Sequence, residues 1–143
     1  MRRKEVTEKQ RAAQRRRWLL IGIGVPVVLA ALYLFSGPFR RQNRARHDCD
    51  ELLLGLQAYA VSFGQLPEGT LAEICAVLRG EDVRGQNPKH EAVVEAYETN
   101  PAGEFVDPWG TAYRIEVGHK SRVISLGPNR VDDHGSGDDI VAQ

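Results

Sequence analysis

Hydrophobic residues along this chain form three different patterns, and the first is an unbroken apolar run. Residues Trp18–Ser36 contain no charged side chain. Nineteen residues at about 1.5 Å per residue span roughly 28 Å, close to the hydrocarbon thickness of a bilayer. A buried core helix and a cleaved signal peptide are the alternatives. The run is long for a signal peptide, and no clear A-x-A cleavage site follows it. We therefore predict a transmembrane helix over residues 18–36.

The second pattern has the period of an amphipathic helix and covers Arg40–Phe63. Apolar residues recur on one helical face, and Gly64 follows as a natural stop. The residues of this face are Cys49, Leu52, Leu53, Leu56, Tyr59, Ala60 and Phe63. Such a stripe indicates a helix that packs on a protein core.

The third pattern is that of a β-hairpin. Thr111–Val117 and Arg122–Leu126 are rich in β-branched and aromatic residues and flank a turn with Gly118. The Asp-Pro-Trp-Gly sequence at Asp107–Gly110 predicts a tight turn before the hairpin. We expect Trp109 to pack against the hairpin rather than to stack on a ligand.

Short helices are predicted in the connection between the long helix and the hairpin. Thr70–Glu73 fits a capping box, so one helix should run from about Leu71 to Leu78. Asn87-Pro88 can cap another helix through about Tyr97. The predicted fold class is therefore α+β, with a transmembrane helix followed by a long helix packed on a small antiparallel sheet.

Charge divides the chain into a basic head and an acidic body, although the formal net charge is zero. Residues 1–17 carry eight Arg or Lys against two Glu, whereas residues 47–143 carry seven against seventeen Asp or Glu. The positive-inside rule places residues 1–17 in the cytoplasm. We predict a single-pass protein of the cytoplasmic (inner) membrane, with residues 37–143 as an extracytoplasmic domain. An acidic body makes nucleic acid an improbable partner.

Few residues suggest reactive chemistry. Neither a Walker loop nor a G-x-S-x-G elbow is present, and the four histidines lack metal-ligand spacing. We predict surface positions for these histidines and no enzymatic activity. Cys49 and Cys75 both lie in the exported part, where a disulfide is allowed. Two buried free thiols are the equally weighted alternative.

An acidic loop, Gly127–Asp139, is the strongest candidate site. It places Asn129, Asp132, Asp133, Asp138 and Asp139 within eleven residues, with glycines between them. Calcium takes six to eight oxygens from carboxylates, amides and backbone carbonyls. The EF-hand spacing is absent, and on the residues alone a solvated acidic loop is the simpler interpretation.

A family resemblance favours a calcium site over a solvated acidic loop. The segments DPWGTAYRI, SLGPN and GSGDDI, with LQAYAVSFGQLPE upstream, resemble the major (G-type) pseudopilin of type II secretion over about residues 44–141. The resemblance implies a pilin-like fold and calcium binding in the acidic loop. The implied ligands are the carbonyls of Leu126 and Val131, the Asn129 side chain, and the carboxylates of Asp138 and Asp139. Asn129 stands where the family usually has Asp, and Asp132 or Asp133 could compensate for the lost charge.

The start of the apolar run departs from that family. Pseudopilin precursors have a Gly before the run, where prepilin peptidase cuts, and a Glu inside it, whereas here Arg15-Arg16-Arg17 precede Trp18. Two functions follow as expectations. The first is a non-enzymatic pseudopilin-like subunit that contacts other pseudopilin or secretion-apparatus subunits, or further copies of itself. The alternative is a calcium-dependent extracytoplasmic binding module that never polymerises.

Overall fold

A computed structural model describes residues 37–95 and 97–143, together with Pro26 and Tyr33. The chain divides into two compact units, Met1–Phe39 and Arg40–Gln143. The predicted basic segment 1–17 and the predicted span 18–36 lie outside the described residues, apart from the helical positions Pro26 and Tyr33. Among the described residues, no helix is both long enough and apolar enough to cross a membrane.

The first described helix, α1, covers residues 37–63. The predicted apolar stripe faces the core, since Cys49, Leu52, Leu56 and Tyr59 are fully buried. Gly64 ends the helix with a φ of 74° and donates its N–H to the Ala60 carbonyl at 2.9 Å. This left-handed conformation favours glycine because it has no Cβ.

The second helix, α2, spans Leu71–Leu78, as the capping box predicts. The Thr70 hydroxyl accepts the Glu73 N–H at 3.4 Å, and the Glu73 carboxylate accepts the Thr70 N–H at 2.8 Å. Ile74, Cys75 and Leu78 join the core cluster. The reciprocal cap satisfies two N–H groups that the first turn cannot pair internally.

The predicted helix from Asn87 to Tyr97 is wrong, because none of its described residues is helical. His90 has a φ of 51°, which breaks a right-handed helix. The buried Asn87 side chain donates to the carbonyls of Val77 and Glu91 and accepts the Glu91 N–H, all at 2.9–3.0 Å. Asn87 therefore ties this segment to α2 instead of capping a helix.

The sheet has three antiparallel strands in the order β1-β2-β3, with bounds Arg114–Glu116, Arg122–Ser125 and Ile140–Ala142. The predicted hairpin is confirmed with shorter strands, and Ile115 pairs with Val123 across it. The sequence did not reveal β3, whose Val141 pairs with Ile124. The α+β class, with a long helix and a small antiparallel sheet, is therefore confirmed.

One core joins the long helix, α2 and the sheet. Residues of α1 share it with Phe105, Tyr113, Val123 and Ile140, all at most 4 % exposed. Trp109 is half-buried and packs against the same cluster, as predicted. Because β2 and β3 are anchored in this core, the acidic loop that connects them begins and ends at fixed points.

Candidate functional site

The candidate site is the acidic loop, which connects β2 to β3. Its two ends touch at Gly127, which has a φ of 66°. A Cβ at this position would lie 2.4 Å from the Asp138 carbonyl oxygen and 2.9 Å from its Oδ2. Only glycine permits so close an approach, so the loop closes with the Asp138 carboxylate against its own first turn.

Asn129 is bound to carboxylates on both sides. Its backbone N–H donates to Asp138 Oδ2 at 3.0 Å, and its side-chain N–H donates to Asp133 Oδ2 at 3.0 Å. Its Oδ1 accepts the Val131 N–H at 2.6 Å, forming an Asx turn. The structure thus brings two predicted ligand residues, Asn129 and Asp138, into direct contact.

The Asp139 carboxylate accepts hydrogen bonds from the backbone of the second half of the loop. Its Oδ2 accepts the N–H groups of Asp133 and Gly135 at 3.0 and 2.9 Å. Its Oδ1 is buried without a hydrogen-bond partner. A buried carboxylate oxygen that lacks a donor costs free energy unless a cation or water satisfies it. The orphan oxygen fits a metal ion bound to this loop.

Asp132 faces away from this arrangement. Its carboxylate forms an ion pair with Arg114 on β1 and accepts the His134 N–H at 2.9 Å. The Asp132 carboxylate is thus engaged by Arg114 and His134 rather than by Asn129. Asp133 is the better placed of the two, because its carboxylate already contacts the Asn129 side chain.

The remaining predicted ligands are the carbonyls of Leu126 and Val131. Leu126 is half-buried at the end of β2, and Val131 is 56 % exposed. Within the described residues, no three His, Cys, Asp or Glu side chains converge as ligands of one metal ion. The predicted set does not need such a triad, since only two of its five oxygens come from carboxylates. Calcium binding by these five residues stays a prediction.

The two cysteines are separate thiols in the structure, and both are buried. The Cys49 thiol donates to the Ile140 carbonyl at 3.6 Å, while Cys75 Sγ accepts the Phe105 N–H at 3.5 Å. Burial raises the pKa of the Cys49 thiol to about 12 and also raises the pKa of Cys75. As free thiols in the structure, the two cysteines contact different partners and pack as small apolar residues, and the disulfide stays an untested alternative.

Buried carboxylates outside the loop were missed by the sequence reasoning. Asp107 is 3 % exposed: its Oδ1 accepts the N–H groups of Trp109 and Thr111, and its Oδ2 accepts the Ser125 hydroxyl at 2.7 Å. Asp48 on α1 is 8 % exposed and accepts the Tyr113 hydroxyl at 2.9 Å. Burial raises the pKa of Asp48, although Tyr113 and Arg44 act in the opposite direction.

These contacts brace the framework of the site rather than suggest chemistry. Asp107 fixes the Asp-Pro-Trp-Gly turn to the end of β2, immediately before the acidic loop. The predicted surface position of the four histidines is confirmed, because His47, His90, His119 and His134 are all exposed.

Comparison with known proteins finds no matching family model, no similar curated protein and no similar solved structure. The class that the structure defines is therefore an α+β domain with a long helix on a small antiparallel sheet. The resemblance to the major pseudopilin rests on the sequence segments alone.

Proposed function

We propose that this protein is a membrane-anchored, non-enzymatic structural subunit of the pseudopilin kind, with a calcium-binding loop at its C-terminal end. The observation that carries the proposal is the acidic loop itself. It closes between two strands of a sheet that packs on a long helix, and it buries one carboxylate oxygen without a partner. A long helix on a small sheet is the layout that the resemblance implies.

Calcium suits the loop because of its donor set. Leu126 and Val131 would supply carbonyls, Asn129 an amide oxygen, and Asp138 and Asp139 carboxylates. Mixed oxygen donors of this kind are those that calcium prefers. The ion would supply positive charge to a loop with four carboxylates, of which only Asp132 is paired with an arginine in the described structure. The loop would then hold the C-terminal strand in register for contacts with neighbouring subunits.

The second candidate function is a calcium-dependent binding module that does not polymerise. One sequence observation favours it: arginines precede Trp18, where the pseudopilin pattern has the glycine of the peptidase site. Calcium binding would be shared by both candidates. Processing and assembly distinguish them.

The proposal is tested by the topology and the mature N-terminus of the full chain. A phosphatase fused after Gln143 should be active outside the cytoplasm, and a cytoplasmic reporter fused there should be silent. Intact mass should match the full chain with or without Met1, because no glycine precedes the apolar run. An inactive phosphatase with an active cytoplasmic reporter would refute the topology. A new, methylated N-terminus near Trp18 would contradict the retained N-terminus and favour processing as an ordinary pseudopilin.

A further inference from the structure

A cleft beside the start of α1 is lined by three arginines. These arginines are Arg40, Arg41 and Arg44. The cleft has a volume of about 410 Å³, and its other lining residues are Glu98, Val106, Asp107, Pro108 and Gly110. We call this feature the arginine cleft. It lies entirely within the second unit and is separate from the acidic loop.

Two carboxylates, Glu98 and Asp107, also line the arginine cleft, and they offset only part of its positive charge. Asp107 lies in its wall, but both of its oxygens are engaged by the N–H groups of its own turn and by Ser125. Asp48 and Glu98 both form ion pairs with Arg44, at 3.7 and 3.9 Å, and the Glu98 side chain is 80 % exposed. In the part of the chain that the structure describes, Arg40 and Arg41 have no carboxylate within ion-pair distance, so their guanidinium groups are available.

Guanidinium groups on a cleft point to a phosphate ligand. Each presents a planar fork of N–H donors that matches two oxygens of a phosphate, and the fork remains charged at any physiological pH. Arg40 and Arg41 present two such forks without an ion-pair partner among the described residues, and Arg44 adds a third charge that Asp48 and Glu98 partly offset.

The position of the arginines along the chain favours a phosphate in a lipid headgroup. Arg40 follows Ser36, the last residue of the predicted span, by four residues. Four residues reach at most about 14 Å even when fully extended, so Arg40 cannot leave the headgroup region by much. The body from His47 onward is strongly acidic and is repelled by an anionic surface, which leaves the arginines of α1 to face it.

We propose that the arginine cleft binds the phosphodiester headgroup of anionic phospholipids in the membrane that anchors the chain. This inference rests on the membrane anchor of the proposed function. Binding would fix the height and tilt of the domain over the bilayer, in addition to the tether. It assigns a role to Arg40, Arg41 and Arg44 that neither calcium binding nor subunit contact requires.

The test uses the full chain in a neutral detergent and counts retained lipid by native mass spectrometry. Phosphatidylglycerol should be retained in preference to phosphatidylcholine. The triple variant R40Q/R41Q/R44Q should bind phosphatidylglycerol at least about twenty-five-fold more weakly, since each of the two unpaired arginines contributes about a fivefold factor. Replacing the same three residues with lysine should give an intermediate loss, because lysine is a point charge without the fork.

The matched control is R84Q/K89Q/K120Q, which removes the same charge from exposed positions outside the cleft, outside α1 and outside the acidic loop. It should retain phosphatidylglycerol to within about threefold of the native chain. Equal losses in both triple variants would overturn the proposal in favour of diffuse charge attraction. Melting temperatures of all variants, measured in parallel, show whether a loss reflects binding or unfolding.

Two further arms separate other ligands. Displacement of the lipid by an equal concentration of inorganic phosphate would overturn the proposal in favour of a site for free anions. The native chain could instead form oligomers that R40Q/R41Q/R44Q abolishes, and show no preference among lipids. That result would assign the cleft to binding the acidic surface of a second copy. Carbonate extraction of membranes tests the anchor separately: an extractable chain that still prefers phosphatidylglycerol refutes the anchor and leaves the cleft standing.

Discussion

Calcium should stabilise this protein through the acidic loop, and Asp138 is the residue whose loss should abolish the effect. Asp138 and Asp133 both receive hydrogen bonds from Asn129, so their charges are held close together. Like charges a few ångströms apart repel by roughly 2–4 kcal/mol before screening at an effective dielectric near 20. The buried Asp139 Oδ1 without a donor adds a cost of about 1–3 kcal/mol. A divalent cation would offset both.

The size of the expected effect follows from mass action. A ligand that binds only the folded state stabilises it by about 2.7 kcal/mol at a hundredfold excess over its dissociation constant. For a domain of about 100 residues, that increment raises the melting temperature by roughly 10 °C. Millimolar calcium should therefore give a clear shift relative to chelator. Magnesium should give a smaller one, because it demands stricter octahedral geometry than this mixed donor set provides.

The assay is thermal unfolding of the full chain in neutral detergent, with calcium, magnesium or chelator. Asp138→Ala should remove most of the calcium shift. Asp132→Ala is the matched control, since it removes a carboxylate of the same loop that pairs with Arg114 instead. His134→Ala should also keep the shift. If calcium leaves the native melting temperature unchanged and equilibrium dialysis finds no bound ion, the loop is a solvated acidic turn and the reasoning fails.

Two further predictions concern the core. Both Cys49 and Cys75 should react with Ellman's reagent only after denaturation, because burial keeps the thiols protonated and inaccessible. A chain with no reactive thiol in denaturant would show that the two cysteines form a disulfide. Tyr113→Phe should destabilise the protein by about 1–3 kcal/mol at neutral pH in denaturant titrations, because it leaves the buried Asp48 carboxylate without its donor. The folded-state pKa of Asp48 is raised, so the stability associated with its protonated form is present at low pH and is lost as the pH rises through that pKa. The loss of stability caused by Tyr113→Phe should therefore be smaller in acid. The control is Tyr97→Phe, which should cost less stability because the Tyr97 hydroxyl bonds the partly exposed Glu51 carboxylate. A Tyr113→Phe penalty that does not change with pH would refute this account.

Local sequence signals determined most elements of the fold. The apolar stripe of α1 places every third or fourth side chain on one face, and that face is buried. The capping box at Thr70–Glu73 and the left-handed Gly64 mark helix ends through their own backbone geometry. These features depend on residues within one or two turns, so a pattern in the sequence is sufficient to find them.

Elements that depend on distant partners were not determined by the sequence alone. Strand β3 has only three residues, too few for a periodic signal, and it exists because β2 offers a free edge. Asn87-Pro88 carries a helix-start signal, but the Asn87 side chain finds Val77 ten residues earlier and holds the segment in another conformation. For β3, a tertiary contact supplied an element that local propensity did not indicate. For Asn87-Pro88, a tertiary contact overrode a local preference for helix.

The candidate site shows the same division. Sequence spacing brought Asn129, Asp138 and Asp139 into one loop and showed that oxygen donors dominate it. Only the tertiary structure assigned each carboxylate its partner: Asp132 to Arg114, Asp138 to Asn129, and Asp139 to backbone N–H groups with one oxygen left over. Which charges remain to attract a cation depends on the direction in which each side chain points, and the folded backbone sets that direction.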